Sequence, residues 1–155
     1  MRIGLISDTH GLLRPEVLER FQGLDLILHA GDVGDPVILA DLTALAPTRA
    51  VFGNTDGFGL RALAPARVEL ELAGWKLLVT HGHELGVPKP KSLVRTYQGS
   101  DIIVYGHTHK PLIEQLDGVL VINPGAAGPG RFDLMPSVAL LELEEGKRSV
   151  RHIAL

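Results

Sequence analysis

Apolar positions along this chain keep two different rhythms. Short runs of Ile, Leu and Val at residues 2–7, 25–29 and 49–52 predict buried strands. Between them, Val17, Leu18 and Phe21, and then Val37, Leu39, Ala40, Leu42 and Leu45, recur at helical spacing behind Pro15 and Pro36. Proline suits a first helical turn, because the amide proton it lacks would have no partner there. Helices are therefore expected over 15–22 and 36–45, with Asp35 capping the second. The order strand, helix, strand, helix, strand argues α/β layering with a largely parallel sheet.

From residue 68 the rhythm changes. Residues 68–73 alternate apolar and acidic, Gly74 turns, and 75–80 form a second apolar run, which predicts a hairpin. Two more hairpins are expected, over 112–122 around Asp117-Gly118 and over 137–153 around Glu145-Gly146. Residues 92–98 read as a short helix and 101–105 as a buried strand. Residues 58–66 read as irregular, and the stretch holding Pro88 and Pro90 as a loop. A helix-rich half followed by a hairpin-rich half suggests two sheets packed face to face with helices outside.

Polar residues gather where the apolar runs stop. Five strand ends carry metal-ligand types: Asp8 and His10, Asp32, Asn54, His81, and His107 with His109. Most adjoin a glycine, which lets backbone approach closely. Within each of the two His- or Asp-containing pairs the residues stand two apart. On an extended segment, such side chains project to the same side and could reach one ion. A lone His-x-His is weak evidence of a metal site, whereas five strand ends holding four of the chain's seven histidines are strong evidence. Seven side chains are too many for one ion and suit two. Cations ~4 Å apart repel strongly unless an anionic group lies between them. Such two-metal sites serve hydrolysis, above all of phosphate esters.

Composition narrows the chemistry. The chain has no cysteine, so thiolate ligands and disulfides are excluded and N and O donors remain, suited to Mn²⁺, Fe, Ni²⁺ or Zn²⁺. A length of 155 residues predicts a single domain over 1–155. A net charge of −3 gives no global attraction to nucleic acid or anionic membrane. Lys89, Lys91 and Arg95 form a local basic patch that reads as a solvated face. No apolar run approaches the ~20 residues of a membrane span, and the default location is the cytoplasm.

In order, Asp-x-His, Gly-Asp, Gly-Asn-x-Asp, His-Gly-His and Gly-His-Thr-His resemble the motif set of the calcineurin-like metallophosphoesterase superfamily. The short chain and its Asn123-Pro124-Gly125 loop resemble the small cap-less phosphodiesterases of the YfcE/MJ0936 type. The match runs from residue 3 to about residue 131.

This resemblance implies a four-layer α/β/β/α sandwich of two mixed sheets flanked by helices. It implies two divalent metal ions, Mn²⁺ first, with Ni²⁺, Fe, Zn²⁺ or Mg²⁺ as alternatives. Asp8, His10 and His109 would hold one ion, Asn54, His81 and His107 the other, and Asp32 would bridge them opposite an attacking hydroxide. The catalytic set would be Asp32, Asn54 and His81. Asn54, His83 and Arg131 would contact a small phosphate-ester substrate.

Much of the superfamily has a histidine after the asparagine. Here Thr55 stands there, and threonine cannot protonate a leaving alkoxide as imidazolium can. Phosphodiester hydrolysis is therefore the expected activity. The alternatives are a phosphomonoesterase or protein phosphatase, and a non-catalytic interaction scaffold of the Vps29 kind, which shares the fold. Of the remaining candidates, His29 reads as a hydrogen-bonded core residue, His152 as remote from the site, and Asp56 as either a turn former or a carboxylate orienting a ligand.

Overall fold

The structure, a computed structural model, describes residues 1–131 and 133–155. Its first sheet begins with β1 (Arg2–Ile6), where Ile3 and Leu5 point one way and Ile6 the other, all fully buried. That double-sided burial marks a central strand. Helix α1 (Pro15–Arg20) follows, then β2 (Leu26–His29), α2 (Pro36–Leu45), β3 (Thr48–Ala50) and α3 (Phe58–Leu63). Asp35 caps α2 as expected, its carboxylate accepting the Val37 N–H at 2.9 Å. The second half contributes β4 (Arg67–Leu72), β5 (Trp75–Thr80), α4 (Pro90–Thr96), β6 (Ile102–Tyr105), β7 (Leu112–Leu116), β8 (Val119–Asn123), β9 (Ser137–Glu144) and β10 (Lys147–Ala154).

Two five-stranded mixed sheets result, in the orders β10-β9-β1-β2-β3 and β4-β5-β6-β8-β7. Strands β1, β2 and β3 run parallel in one, and β5, β6 and β8 in the other. All three expected hairpins form, pairing β4 with β5, β7 with β8 and β9 with β10.

Three apolar layers separate the elements. Ile3, Leu5, Leu26 and Leu28 meet Leu77, Val79, Ile102 and Val104 between the sheets. Val17 of α1 and Phe21 at its C-cap, Ile38 and Leu42 of α2 and Leu60 of α3 cover the outer face of the first sheet. Leu93 of α4 covers that of the second. Each fully buried Leu or Ile side chain contributes about 1.5–3 kcal/mol, and together these layers fix how the two sheets face. This is the α/β/β/α sandwich. Among the described residues, no helix is long and apolar enough to cross a membrane.

Three local expectations fail. Residues 58–63 are helical rather than irregular, and Pro90 opens α4 instead of lying in a loop. Strand β3 also stops at Ala50, though the Val51 N–H still bonds to the His29 carbonyl at 3.0 Å.

Candidate metal centre

The parallel strands bring their carboxyl ends to one edge of the sandwich, where loops from both sheets meet. Five of the seven candidate ligands there have left-handed backbone: Asp8 (φ 54°), His10 (46°), Asp32 (52°), His107 (70°) and His109 (59°). The extended geometry expected for the two residue pairs is therefore wrong. These residues lie beyond their strands, and the reversed φ, not the pleat, aims them. Each such residue costs about 1–2 kcal/mol in an L-chain. Backbone hydrogen bonds between the loops hold them there. The Asp8 N–H bonds to the Gly31 carbonyl at 3.0 Å, His10 to Asp32 at 2.9 Å and Gly11 to Val33 at 2.9 Å.

The side chains form two adjoining clusters. In the first, His10 Nε2 and His109 Nε2 stand 3.3 Å apart, and Asp8 Oδ1 is 3.3 Å from His109 Nε2 and 3.9 Å from His10 Nε2. In the second, His81 Nε2 lies 3.3 Å from Asp32 Oδ2 and 3.1 Å from Asn54 Oδ1. Asp32 Oδ2 is also 3.8 Å from His10 Nε2, so this one carboxylate oxygen faces both clusters. The rings pair accordingly: His109 sits 5.2 Å from His10, and His107 sits 5.1 Å from His81, centroid to centroid. His107 and His109 thus face different clusters, although they are two residues apart.

The donor chemistry of these atoms fits cations. His81 Nδ1 lies 2.8 Å from the Ala30 carbonyl and must donate to it, which leaves the Nε2 lone pair facing Asp32 and Asn54 oxygens. Three electron-pair donors facing one another repel unless a positive charge sits among them. Asp8 Oδ1 is buried with no hydrogen-bond partner among the described residues. Two donors each ~2.1 Å from a metal at tetrahedral to octahedral angles would stand roughly 3.0–3.4 Å apart, as the closest of these atoms do.

Electrostatics follow the same layout. Burial disfavours a charged Asp32, yet the hydrogen bond and charge of His81, together with Thr55, outweigh it and hold the carboxyl well below the usual range. The Thr55 N–H donates to Asp32 Oδ1 at 2.9 Å. Burial likewise works against charge on His81, but the Asp32 hydrogen bond and the Asp8 and Asp32 charges raise its pKa. A proton there occupies the position a cation would take. Burial is also the main cause of the lowered pKa of His10, helped by His109 and Arg131 and opposed by Asp32 and Asp8.

Surrounding groups fix the loops. Asp56 is buried, and its carboxylate accepts the N–H groups of Val33 (3.1 Å), Gly34 (2.9 Å) and Gly53 (2.8 Å). It therefore ties the Asp32 loop to the Asn54 loop. Asp56 thus does more than close a local turn: its carboxylate joins two loops that carry candidate ligands.

Asn123 plays a parallel part, its Nδ2 donating to the Gly106 carbonyl and to Thr108 Oγ1, both at 3.0 Å. The sequence marks it only as part of the Asn123-Pro124-Gly125 loop, and nothing local foretells that it braces the His107–His109 turn. His152 also reaches this network, with Nε2 2.8 Å from the Asn123 carbonyl, so it is less remote than the sequence suggests. His29 is a core residue as expected. It accepts the Gly31 N–H at Nδ1 (3.2 Å) and meets Thr9 Oγ1 through Nε2 (2.9 Å).

His83 lies at the rim, its ring 5.3 Å from His81 and 6.3 Å from His107. Arg131 is exposed, yet close enough to disfavour charge on His10. A cleft of about 780 Å³ lies over β4, β5 and the end of α4, and none of the seven candidate ligands lines it. Chemistry, not volume, identifies the site.

Residues 1–146 match the calcineurin-like phosphoesterase superfamily domain. A probable metallophosphoesterase of Methanothermobacter thermautotrophicus is 36% identical over 155 residues, spanning 95% of this chain and 88% of its own length. The solved structure of an archaeal phosphodiesterase superposes with a TM-score of 0.82 at 29% identity, covering 100% of both chains. Vps29 of Entamoeba histolytica superposes with a TM-score of 0.81 at 23% identity, covering 100% of this chain and 99% of its own, which is a likeness of fold. On the length of the domain match and the identity to these relatives, the chain belongs to the calcineurin-like phosphoesterase superfamily.

Proposed function

We propose that this protein is a two-metal phosphodiesterase. The observation carrying that reading is the pair of donor clusters that share Asp32 Oδ2. Asp8, His10 and His109 would hold one divalent ion, Asn54, His81 and His107 the other, and Asp32 both; Mn²⁺ is the first candidate. When bound, such ions acidify water, hold phosphoryl oxygens and offset charge developing on phosphorus.

The chain's own groups do the rest. Asp32 keeps its negative charge across the working pH range, as a group between two cations must. Asn54, which is exposed, reaches both the second cluster and any phosphate above it. His83 and Arg131 stand at the rim, where they would orient the ester. Thr55 stabilises ionised Asp32 but supplies no proton to a leaving group, which favours esters of acidic alcohols.

The test is hydrolysis of bis(4-nitrophenyl) phosphate and 4-nitrophenyl phosphate with added Mn²⁺, Ni²⁺ or Mg²⁺, beside thermal melts with each metal. Metal-dependent turnover of the diester above the monoester is expected, with a loss of at least ~10²-fold in Asp32→Ala. At a metal concentration 100 times Kd, binding adds about 2.7 kcal/mol of stability, so the melting temperature should rise by several degrees and not in Asp32→Ala. Metal-induced stabilisation without turnover of either ester would favour a scaffold of the Vps29 kind, and turnover of the monoester alone a phosphomonoesterase.

A further inference from the structure

A second cleft opens beside His107. It measures about 380 Å³ and is lined by Val87, Pro88, Lys89, Pro90, Tyr105, His107, Thr108, Lys110 and Leu112. The floor and one wall are apolar. Val87, 73% exposed, joins Pro88, Pro90 and Leu112 as the apolar part of the lining. The wall is built to stay in place. Pro88 packs against Gly82, whose added Cβ would meet the proline ring at 3.0 Å, so the loop is seated on the turn between His81 and His83. Pro90 then opens α4. Prolines at 88 and 90 leave this wall little conformational entropy to lose on binding.

Charge gives the second half of the argument. The chain carries a net charge of −3, yet the cleft contains two lysines and no acid. Neither Lys89 nor Lys110 forms an ion pair among the described residues. An apolar wall with two free ammonium groups, opening on a candidate metal ligand, matches an occupant with a flat apolar part and a further anion.

We propose that this cleft is the subsite for the alcohol portion of a nucleotide-type phosphodiester, with an aromatic base against Val87, Pro88, Pro90 and Leu112 and a second phosphate on Lys89 and Lys110. The proposal rests on the phosphodiesterase reading and deepens it by naming the substrate class. The subsite adds binding energy remote from the reacting phosphorus and discriminates among diesters that the metal centre alone would treat alike.

The experiment compares three 4-nitrophenyl diesters with wild type, Lys89→Ala/Lys110→Ala and Leu112→Ser, in the metal-loaded protein. The esters are the methyl ester, the thymidine 5′-phosphate ester and its 3′-phosphorylated form. For wild type, KM should fall along that series, by roughly tenfold or more in total. The double lysine variant should abolish the gain from the 3′-phosphate while leaving the methyl ester's kcat and KM within about twofold. Leu112→Ser should raise KM for both nucleoside esters and spare the methyl ester. Calorimetric binding of thymidine 3′,5′-bisphosphate, lost in the lysine variant, gives a readout independent of turnover. Equal KM for all three esters in wild type, or equal effects of the variants on all three, overturns the subsite while leaving the phosphodiesterase reading intact. No metal-dependent turnover of any ester overturns both.

Discussion

At the scale of single residues, the candidate ligands and their supports differ in how far they can be read ahead. Asp8, His10, Asp32, Asn54, His81, His107 and His109 stand out in the sequence because a metal-ligand residue type follows each apolar run. Asp56 does not, since a carboxylate beside Gly57 equally describes an ordinary turn. Its three donors include Val33 and Gly34, which only folding brings near. Replacing Asp56 with Ala leaves the buried Val33 and Gly53 N–H groups unpaired and removes the partner of the part-buried Gly34 N–H, and each buried loss costs about 1–3 kcal/mol. Asp56→Ala is expected to lose roughly 3–5 kcal/mol in urea unfolding and to bind Mn²⁺ at least tenfold more weakly, while Asp56→Asn retains part of both. Wild-type stability and metal affinity in Asp56→Ala would remove Asp56 from the framework of the site.

Elements divide along the same line. Hairpins and apolar strands are legible because their signal is local: period-two alternation, then a glycine turn. Helix α3 is not, because only Leu60 of its six residues is buried, whereas Phe58 is 95% and Leu63 65% exposed. One inward contact makes no periodicity. The approach of loops from opposite sheets is equally silent in sequence. A Cβ on Gly106 would fall 2.1 Å from Ser7 Oγ and 2.7 Å from the Ala30 carbonyl, so glycine here permits the two sheets' loops to touch. Gly106→Ala is expected to cost about 2–4 kcal/mol and to weaken metal binding. Gly57→Ala, where nothing lies within 4 Å, should stay within about 1 kcal/mol of wild type. Calorimetric melts of both variants, with and without Mn²⁺, check this.

For the molecule as a whole, acid should be the weak point. His29 is fully buried and its pKa is lowered to about 4, chiefly by desolvation. The unfolded chain takes up the proton near 6.5 and the folded chain only near 4, so stability is full above pH 6.5 and falls as the pH drops between those values. That gap corresponds to about 2–3 kcal/mol lost by pH 4.5. Asp32, whose folded pKa is depressed, adds a loss in the same direction only below the ordinary carboxylate range. Urea unfolding of metal-free protein at pH 7 and pH 4.5 measures the loss. In His29→Gln the slope between those values should flatten, and an unchanged slope would show that another group carries it. The two-sheet architecture was legible at this scale, because helix-rich and hairpin-rich halves leave few other ways to cover both sheets. The buried Thr9–His29 link was not, since a histidine inside an apolar run gives no sign of its partner.

The five left-handed backbones have a consequence for sequence drift. Glycine and, to a lesser degree, asparagine adopt that conformation with little strain, whereas aspartate and histidine hold it here only because neighbouring loops insist. Selection for heat resistance alone would therefore favour glycine at residues 10, 107 and 109. Each such replacement would relax the chain and delete a candidate ligand. On the proposed reading, a lineage freed from catalysis should become more robust as it forgets its chemistry.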